Sequence, residues 1–178
     1  IAKVFCGDLE QAHLAGCELA QRLYTAPLQQ AADLAIVSCG GEPKDINFIQ
    51  AHKALDYGVQ AVRPGGTVIL LAACPDGFGN ATFFDWFNYE ELDTFEKALR
   101  NRYEINGQTA WSTLSKARSW RVILISEFNR EQTEKMGMEK ANNLDEALQM
   151  AYKQLPGNPE VVIIPDGGTI LPVLKNNS

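Results

Sequence analysis

The sequence predicts an α/β domain of Rossmann-like type, a mostly parallel sheet with helices on both faces. Three observations predict it. Four short apolar runs rich in β-branched residues recur along the chain, none of them alternates cleanly, and the segments between them carry apolar residues at helical spacing. A strand covered on both faces reads as a continuous apolar run, and such strands alternating with helices are the pattern of a parallel sheet.

In chain order, a first helix is expected after Asp8, with Leu9, Ala12, Gly16, Leu19, Ala20 and Leu23 near one face. Arg22 falls in its last turn, where the helix dipole favours a cation. The first strand is expected at 34–38. Asn47 with Gln50 reads as a capping box opening the next helix, and the turn Arg63-Pro64-Gly65-Gly66 ends that helix and feeds a strand at 67–73. Residues 90–101 and 131–138 read as helical, around a third strand at 121–126. Asn143 followed by Glu146 forms an N-cap and N3 pair for a helix through Leu148, Ala151, Tyr152 and Leu155, closed near Pro156-Gly157 ahead of the last strand at 161–165. The stretch 80–108 is the least Rossmann-like part; its aromatic residues (Phe83, Phe84, Trp86, Phe87, Tyr89, Phe95, Tyr103) read as core or interface.

With 178 residues, 46% of them apolar, the chain can bury a single core, and residues 1–178 are read as one domain. The net charge of −6 argues against a nucleic-acid partner, which calls for a clustered basic face. No apolar run approaches the ~20 residues that span a bilayer, so no membrane role is expected. No basic stretch leads into an apolar one, so no secretory leader is expected either. The four cysteines (Cys6, Cys17, Cys39, Cys74) show no metal-ligand spacing. Cys39 and Cys74 end apolar runs and are expected to be buried reduced thiols, which suits the cytoplasm.

In open parallel sheets ligands bind beyond the carboxyl ends of the strands. Three glycine-bearing loops are expected there. One holds Gly40, Gly41 and Asp45, another Asp76, Gly77 and Gly79, and the last Gly167 and Gly168. Their glycines either turn the chain tightly or gather backbone N–H groups toward an anion. Gln50 and Lys53, three residues apart, share one helical face near Ile46, Ile49 and Tyr57. Lys53 is placed to hold a carboxylate, or stands in water beside a purely structural glutamine cap.

The run from Gly40-Gly41-Glu42-Pro43-Lys44-Asp45-Ile46-Asn47 through Gln50 and Lys53 to Pro64-Gly65-Gly66 is specific. With Phe5-Cys6-Gly7-Asp8, the Asp76-Gly77-x-Gly79 loop and the closing Gly167-Gly168-x-x-Leu171-Pro172, it resembles the second domain of the nickel-pincer-dependent lactate racemases over nearly the whole chain. The resemblance implies that this is the carboxyl-terminal domain of a longer two-domain enzyme. Its own amino-terminal domain would hold the nickel-pincer nucleotide through a lysine and supply two catalytic histidines. The second domain would close over a small 2-hydroxy acid whose α-carbon gives up and regains a hydride. Gln50 and Lys53 match the family's polar pair on the substrate side, and Trp111 matches an active-site tryptophan.

Ile49 stands where the lactate enzymes tend to have tyrosine, which favours another 2-hydroxy acid or a sugar acid. Asp166 stands where many relatives have histidine. No catalytic residue, metal ligand or cofactor is expected in this domain alone, and the isolated chain is expected to be inactive; His13 and His52 are its only histidines. Two other readings remain open. A Rossmann-like small-molecule methyltransferase shares the Arg63-Pro64-Gly65-Gly66 turn but would need a Gly-x-Gly after the first strand. A non-catalytic docking domain would use the aromatic stretch.

Overall fold

A computed structural model describes residues 1–175. Its centre is a five-stranded, all-parallel sheet in the order β5-β4-β3-β2-β6. These strands are β2 (Ala32–Ser38), β3 (Val62–Leu71), β4 (Arg121–Ile125), β5 (Glu139–Ala141) and β6 (Val161–Ile164). The four expected strands are all present. β2 and β4 show why they read as unbroken runs: their middle residues are buried on both faces.

One face carries the larger core. Ala35, Val37, Val68, Leu70, Val122 and Leu124 of the sheet meet Phe48, Ala51, Ala54 and Leu55 of α2 (Phe48–Gly58), Phe95 of α3 (Leu92–Asn101) and Ala110 and Leu114 of α4 (Gly107–Ser119). The other face places Leu34, Ile69 and Ile123 against Ala147 and Ala151 of α6 (Leu144–Tyr152). The aromatic stretch is chiefly core: Phe83, Trp86, Phe87 and Phe95 are buried, and Trp86 stacks on Phe95 at 5.4 Å. Tyr103 stays exposed.

Several local expectations need correction. The Arg63-Pro64-Gly65-Gly66 segment is not a turn between helix and strand but lies within β3. Ala32 pairs with Val62 and Leu34 with Thr67, so the intervening residues bulge from the ladder. A bulge tolerates a proline without an N–H and a glycine at φ +74°. The Arg63 guanidinium on Asp33, at 2.6 Å, and the Trp120 indole N–H on the Arg63 carbonyl, at 3.1 Å, pin it.

Both expected capping boxes are half formed. Asn143 accepts from the Glu146 N–H, but the Glu146 carboxylate reaches one residue further, to the Asn142 N–H and side-chain amide. The Asn142 contacts hold that carboxyl below the usual range. Asn47 accepts from the Gln50 N–H, while the Gln50 side chain turns to Lys53. The reciprocal box occurs instead at Asn129 and Gln132, opening α5 (Arg130–Lys135).

The first helix, α1 (Leu9–Tyr24), is capped by Asp8 as expected, but among the described residues it contributes nothing to the core. It leads into β1 (Thr25–Leu28), which pairs in parallel with β7 (Leu171–Leu174) as a separate two-stranded sheet.

Candidate functional site

The strand order fixes where a ligand crevice should lie. From β2 the chain steps through β3 and β4 to β5 on one side, whereas β6 returns to the other, so the order reverses between β2 and β6. Loops leaving adjacent strands part at such a point and open a crevice. Here Lys44, from the loop after β2, spans it. Its ammonium donates to both Asp166 carboxylate oxygens, at 2.7 and 2.6 Å, and to the Thr169 hydroxyl at 2.9 Å in the loop after β6.

The glycines of these loops serve close approach. A Cβ on Gly40 would stand 2.8 Å from an Asp166 oxygen, and one on Gly168 would stand 3.1 Å from the Cys39 carbonyl oxygen. Gly167 abuts Val37 and Ala54, and its N–H donates to the Ser38 carbonyl at 2.8 Å. Gly41, by contrast, has φ +76° and open space around it.

The amino end of α2 is closed to an anion. Its first N–H groups already have partners: Phe48 donates to the Gly77 carbonyl, Ile49 to the Phe78 carbonyl and Gln50 to the Asn47 side chain. The second loop is thereby fastened over the helix start. Asp45 completes the fastening, its carboxylate accepting from the Ala73 N–H and its carbonyl from the Cys74 N–H. Cys74 takes φ +56°, an uncommon backbone for a non-glycine residue at the carboxyl end of β3. Beside Asp76 and Gly79 is a shallow depression of about 470 Å³, walled by Asn47, Phe78, Asn80 and Ala81 as well. Gln50 and Lys53 lie outside its walls.

Of the sequence-derived candidates, the structure joins Gln50 and Lys53 directly. The Lys53 ammonium donates to the Gln50 side-chain oxygen at 2.7 Å, at an exposed position on α2. That contact leaves a cluster of donors facing out, the remaining N–H bonds of Lys53 and the amide NH₂ of Gln50, beside one further lone pair on the Gln50 oxygen. Ile49, one residue earlier, packs partly into the core.

Trp111 sits on α4. Asp56 of α2 and Lys116 of α4 form an ion pair, and the two helices both run from the carboxyl toward the amino edge of the sheet. Trp111, partly buried against the core, lies five residues before Lys116 on the same helix. Its indole N–H, however, is engaged by the Leu92 carbonyl at 3.3 Å, so the ring also ties α3 to α4.

His52 points away from this pair. It is 5% exposed, its Nδ1 lies 3.3 Å from Asp56, and its Nε2 finds no partner among the described residues. Burial pulls it down to about 4; the Asp56 carboxylate opposes that shift and Lys116 adds to it. His13 is exposed on α1 beside Cys17. Cys39 and Cys74 are buried free thiols, and burial pushes both up to about 12. Among the described residues no group of His, Cys, Asp and Glu side chains comes together as a metal-ligand set. Nor is any described helix long and apolar enough to cross a membrane.

Lys44, Asp166 and Thr169 are the residues that spacing alone did not nominate. Opposite charges next to glycines in two loops were visible, but pairing them requires knowing that β6 lies beside β2.

A parallel α/β domain with its polar pair at the carboxyl edge of the sheet is the class these features define. Residues 28–171 match the family described as the lactate racemase C-terminal domain, and the chain belongs to that family. It is 32% identical over 177 residues to a lactate racemase of Thermoanaerobacterium thermosaccharolyticum, covering 96% of this chain and 41% of the relative. It is also 32% identical over 171 residues to a lactate racemase of Lactiplantibacillus plantarum, covering 92% and 40%. The chain thus spans about two fifths of the length of these relatives. The solved lactate racemase apoprotein of T. thermosaccharolyticum superposes with a TM-score of 0.84 at 31% identity, over 96% of this chain and 42% of that one. A Thermotoga maritima protein shares the fold, with a TM-score of 0.63 at 16% identity, over 93% of this chain and 42% of that one. The family match sets aside the methyltransferase-like reading.

Proposed function

We propose that this chain is the substrate-closing domain of a nickel-pincer nucleotide-dependent racemase or epimerase acting on a 2-hydroxy acid or sugar acid in the cytoplasm, and that Gln50 and Lys53 hold the substrate carboxylate. The observation that carries the reading is the donor-rich character of the pair, with the Lys53 ammonium 2.7 Å from the Gln50 oxygen. A carboxylate has only acceptors to offer, and a cation beside an amide donor matches it. Held there, the acid would present its carbinol C–H in a fixed direction, and orientation of this kind can lower a barrier by several kcal/mol, within the roughly 7–11 available to a well-aligned pair.

The nickel-pincer group, when bound, supplies the hydride acceptor. The residues here do not fit it, because no described set of side chains could ligate its metal. Its attachment is therefore assigned to the amino-terminal domain that accompanies this one in relatives, and no step is derived through it. This chain's part is to bind, orient and exclude water, with Trp111 assigned as a wall on the strength of the family resemblance. Ile49 in place of a tyrosine leaves room and no hydroxyl, which supports a substrate other than lactate.

The test uses the polypeptide of the complete reading frame, loaded with cofactor, on a panel of 2-hydroxy and sugar acids. Loss of optical rotation, or conversion of one epimer to the other, is expected for at least one acid larger than lactate. Failure on every acid of the panel, with cofactor stoichiometric, would defeat the reading.

A further inference from the structure

α1 is amphipathic without a core to face. Leu9, Ala12, Gly16, Leu19, Ala20 and Leu23 fall on one side, yet Leu9 is 87% exposed and Leu23 52%, and Val4 ahead of the helix is 74% exposed. Ala12, Gly16 and Leu19 between them are half-buried; a surface helix draws most of its stability from burying such a stripe, so one left open at both ends calls for a cover. Ala12, Gly16 and Ala20 would let that cover approach closely, while Glu10, Glu18 and Arg22 on the remaining surface would stay in water.

A second, independent observation points to the same place. β1 and β7 form a two-stranded parallel sheet separate from the main one. Parallel strands are normally covered on both faces within larger sheets, and a two-stranded sheet is marginal by itself. In β7, Val173 and Leu174 remain 40% and 41% exposed. The third observation is one of boundaries. The domain family matches residues 28–171, so α1 and nearly all of β1 and β7 fall outside it. Full-length relatives nevertheless align over 96% of the chain, which must include most of α1.

We propose that the Leu9–Leu23 stripe of α1 and the β1–β7 pair form the docking face of this domain for the amino-terminal domain of the same polypeptide. This rests on the reading that such a domain accompanies it, as the relatives' greater length supports: the chain covers only 41% and 40% of them. The cover is an apolar surface of that domain, packed on α1, with β1 or β7 extending its sheet.

The experiment is amide hydrogen exchange on the complete polypeptide, wild type and Leu9→Asp/Leu23→Asp. In the wild type, amides of α1, β1 and β7 are expected to exchange at least ~100-fold more slowly than in the variant, while β2, β3 and β4 stay equally protected in both. Should the variant fail to fold, maleimide labelling of Cys17 on α1 in the wild-type protein replaces it, and slow labelling relative to Cys6 is expected. Three results would overturn the proposal: α1 exchanging in the wild type as freely as an open loop, protection that vanishes on dilution as a dimer becomes a monomer, or a reading frame with no upstream domain. A protected α1 in a protein inactive on every 2-hydroxy acid would leave the docking face standing and remove the racemase reading.

Discussion

Gly79 is pressed against the side chain that caps α2: a Cβ at that position would stand 2.5 Å from the amide carbon of Asn47. Gly77, two residues away, also has a positive φ, +65° against +88°, but faces open space. The pair therefore separates backbone strain from loss of the cap. Gly77→Ala should cost about 1–2 kcal/mol, the strain of a left-handed backbone. Gly79→Ala should cost more by the ~0.5–2 kcal/mol of a lost N-cap. Urea melts of the two variants would decide it, and equal midpoints would show that the approach to Asn47 does not hold the helix start.

Lys53 is exposed and, among the described residues, its ammonium bonds to Gln50 alone, so Lys53→Ala should leave stability within about 0.5 kcal/mol. Turnover of the complete, cofactor-loaded enzyme should fall at least ~100-fold, the scale of a lost positioning contact. Gln50→Ala should behave alike in stability, because the cap uses the Gln50 backbone N–H and not its side chain. Near-normal turnover by Lys53→Ala would defeat the site assignment and leave the fold untouched.

His52 gives the fold an acid sensitivity. Its pKa is about 4 folded against about 6.5 unfolded, so between these values the unfolded state binds more protons. Its contribution is complete above pH ~6.5 and is lost as pH falls through 4, on the order of 3 kcal/mol in all. Melting temperature should drop across that window in the wild type. In His52→Gln the drop should be shallower. An identical slope in both proteins would assign the acid sensitivity to other groups.

The thiols should fall into two classes. Cys6 and Cys17 are exposed, whereas Cys39 and Cys74 are buried with their pKa pushed up to about 12. Since only an accessible thiolate attacks a disulfide reagent, this domain on its own, with α1 uncovered, should titrate two thiols quickly at neutral pH and four after unfolding. Rapid modification of all four would contradict the burial of the loops at the carboxyl edge.

What the sequence made legible was what depends on local pattern. β2, β4 and the middle of β3 announced themselves because strands buried on both faces need nothing but apolar residues. β5 was illegible for the opposite reason. Its three residues include Glu139 and Lys140, and it is a strand because β4 pairs with it and Arg121 reaches Glu139 at 2.6 and 2.8 Å. β1 and β7 each carry a proline, Pro27 and Pro172, which argues against a strand until the two are seen to pair with each other. α4 opens on Gly107 with few apolar residues, so its period was faint. At the candidate site, the Gln50–Lys53 contact could be read from a spacing of three. Lys44 and Asp166 could not, because 122 residues separate them and only strand order brings them together.

The two borders of the main sheet differ in kind. β5 is three residues long and charged, a poor template for a stray strand. β6 is paired on one side only and turns Val161 and Ile163 outward, the latter 67% exposed. An unpaired, apolar edge recruits strands from neighbouring molecules, and recruitment here has one direction. In a concentrated preparation aggregates of this chain would nucleate along β6, and a single lysine at position 163 would blunt that border without touching either core.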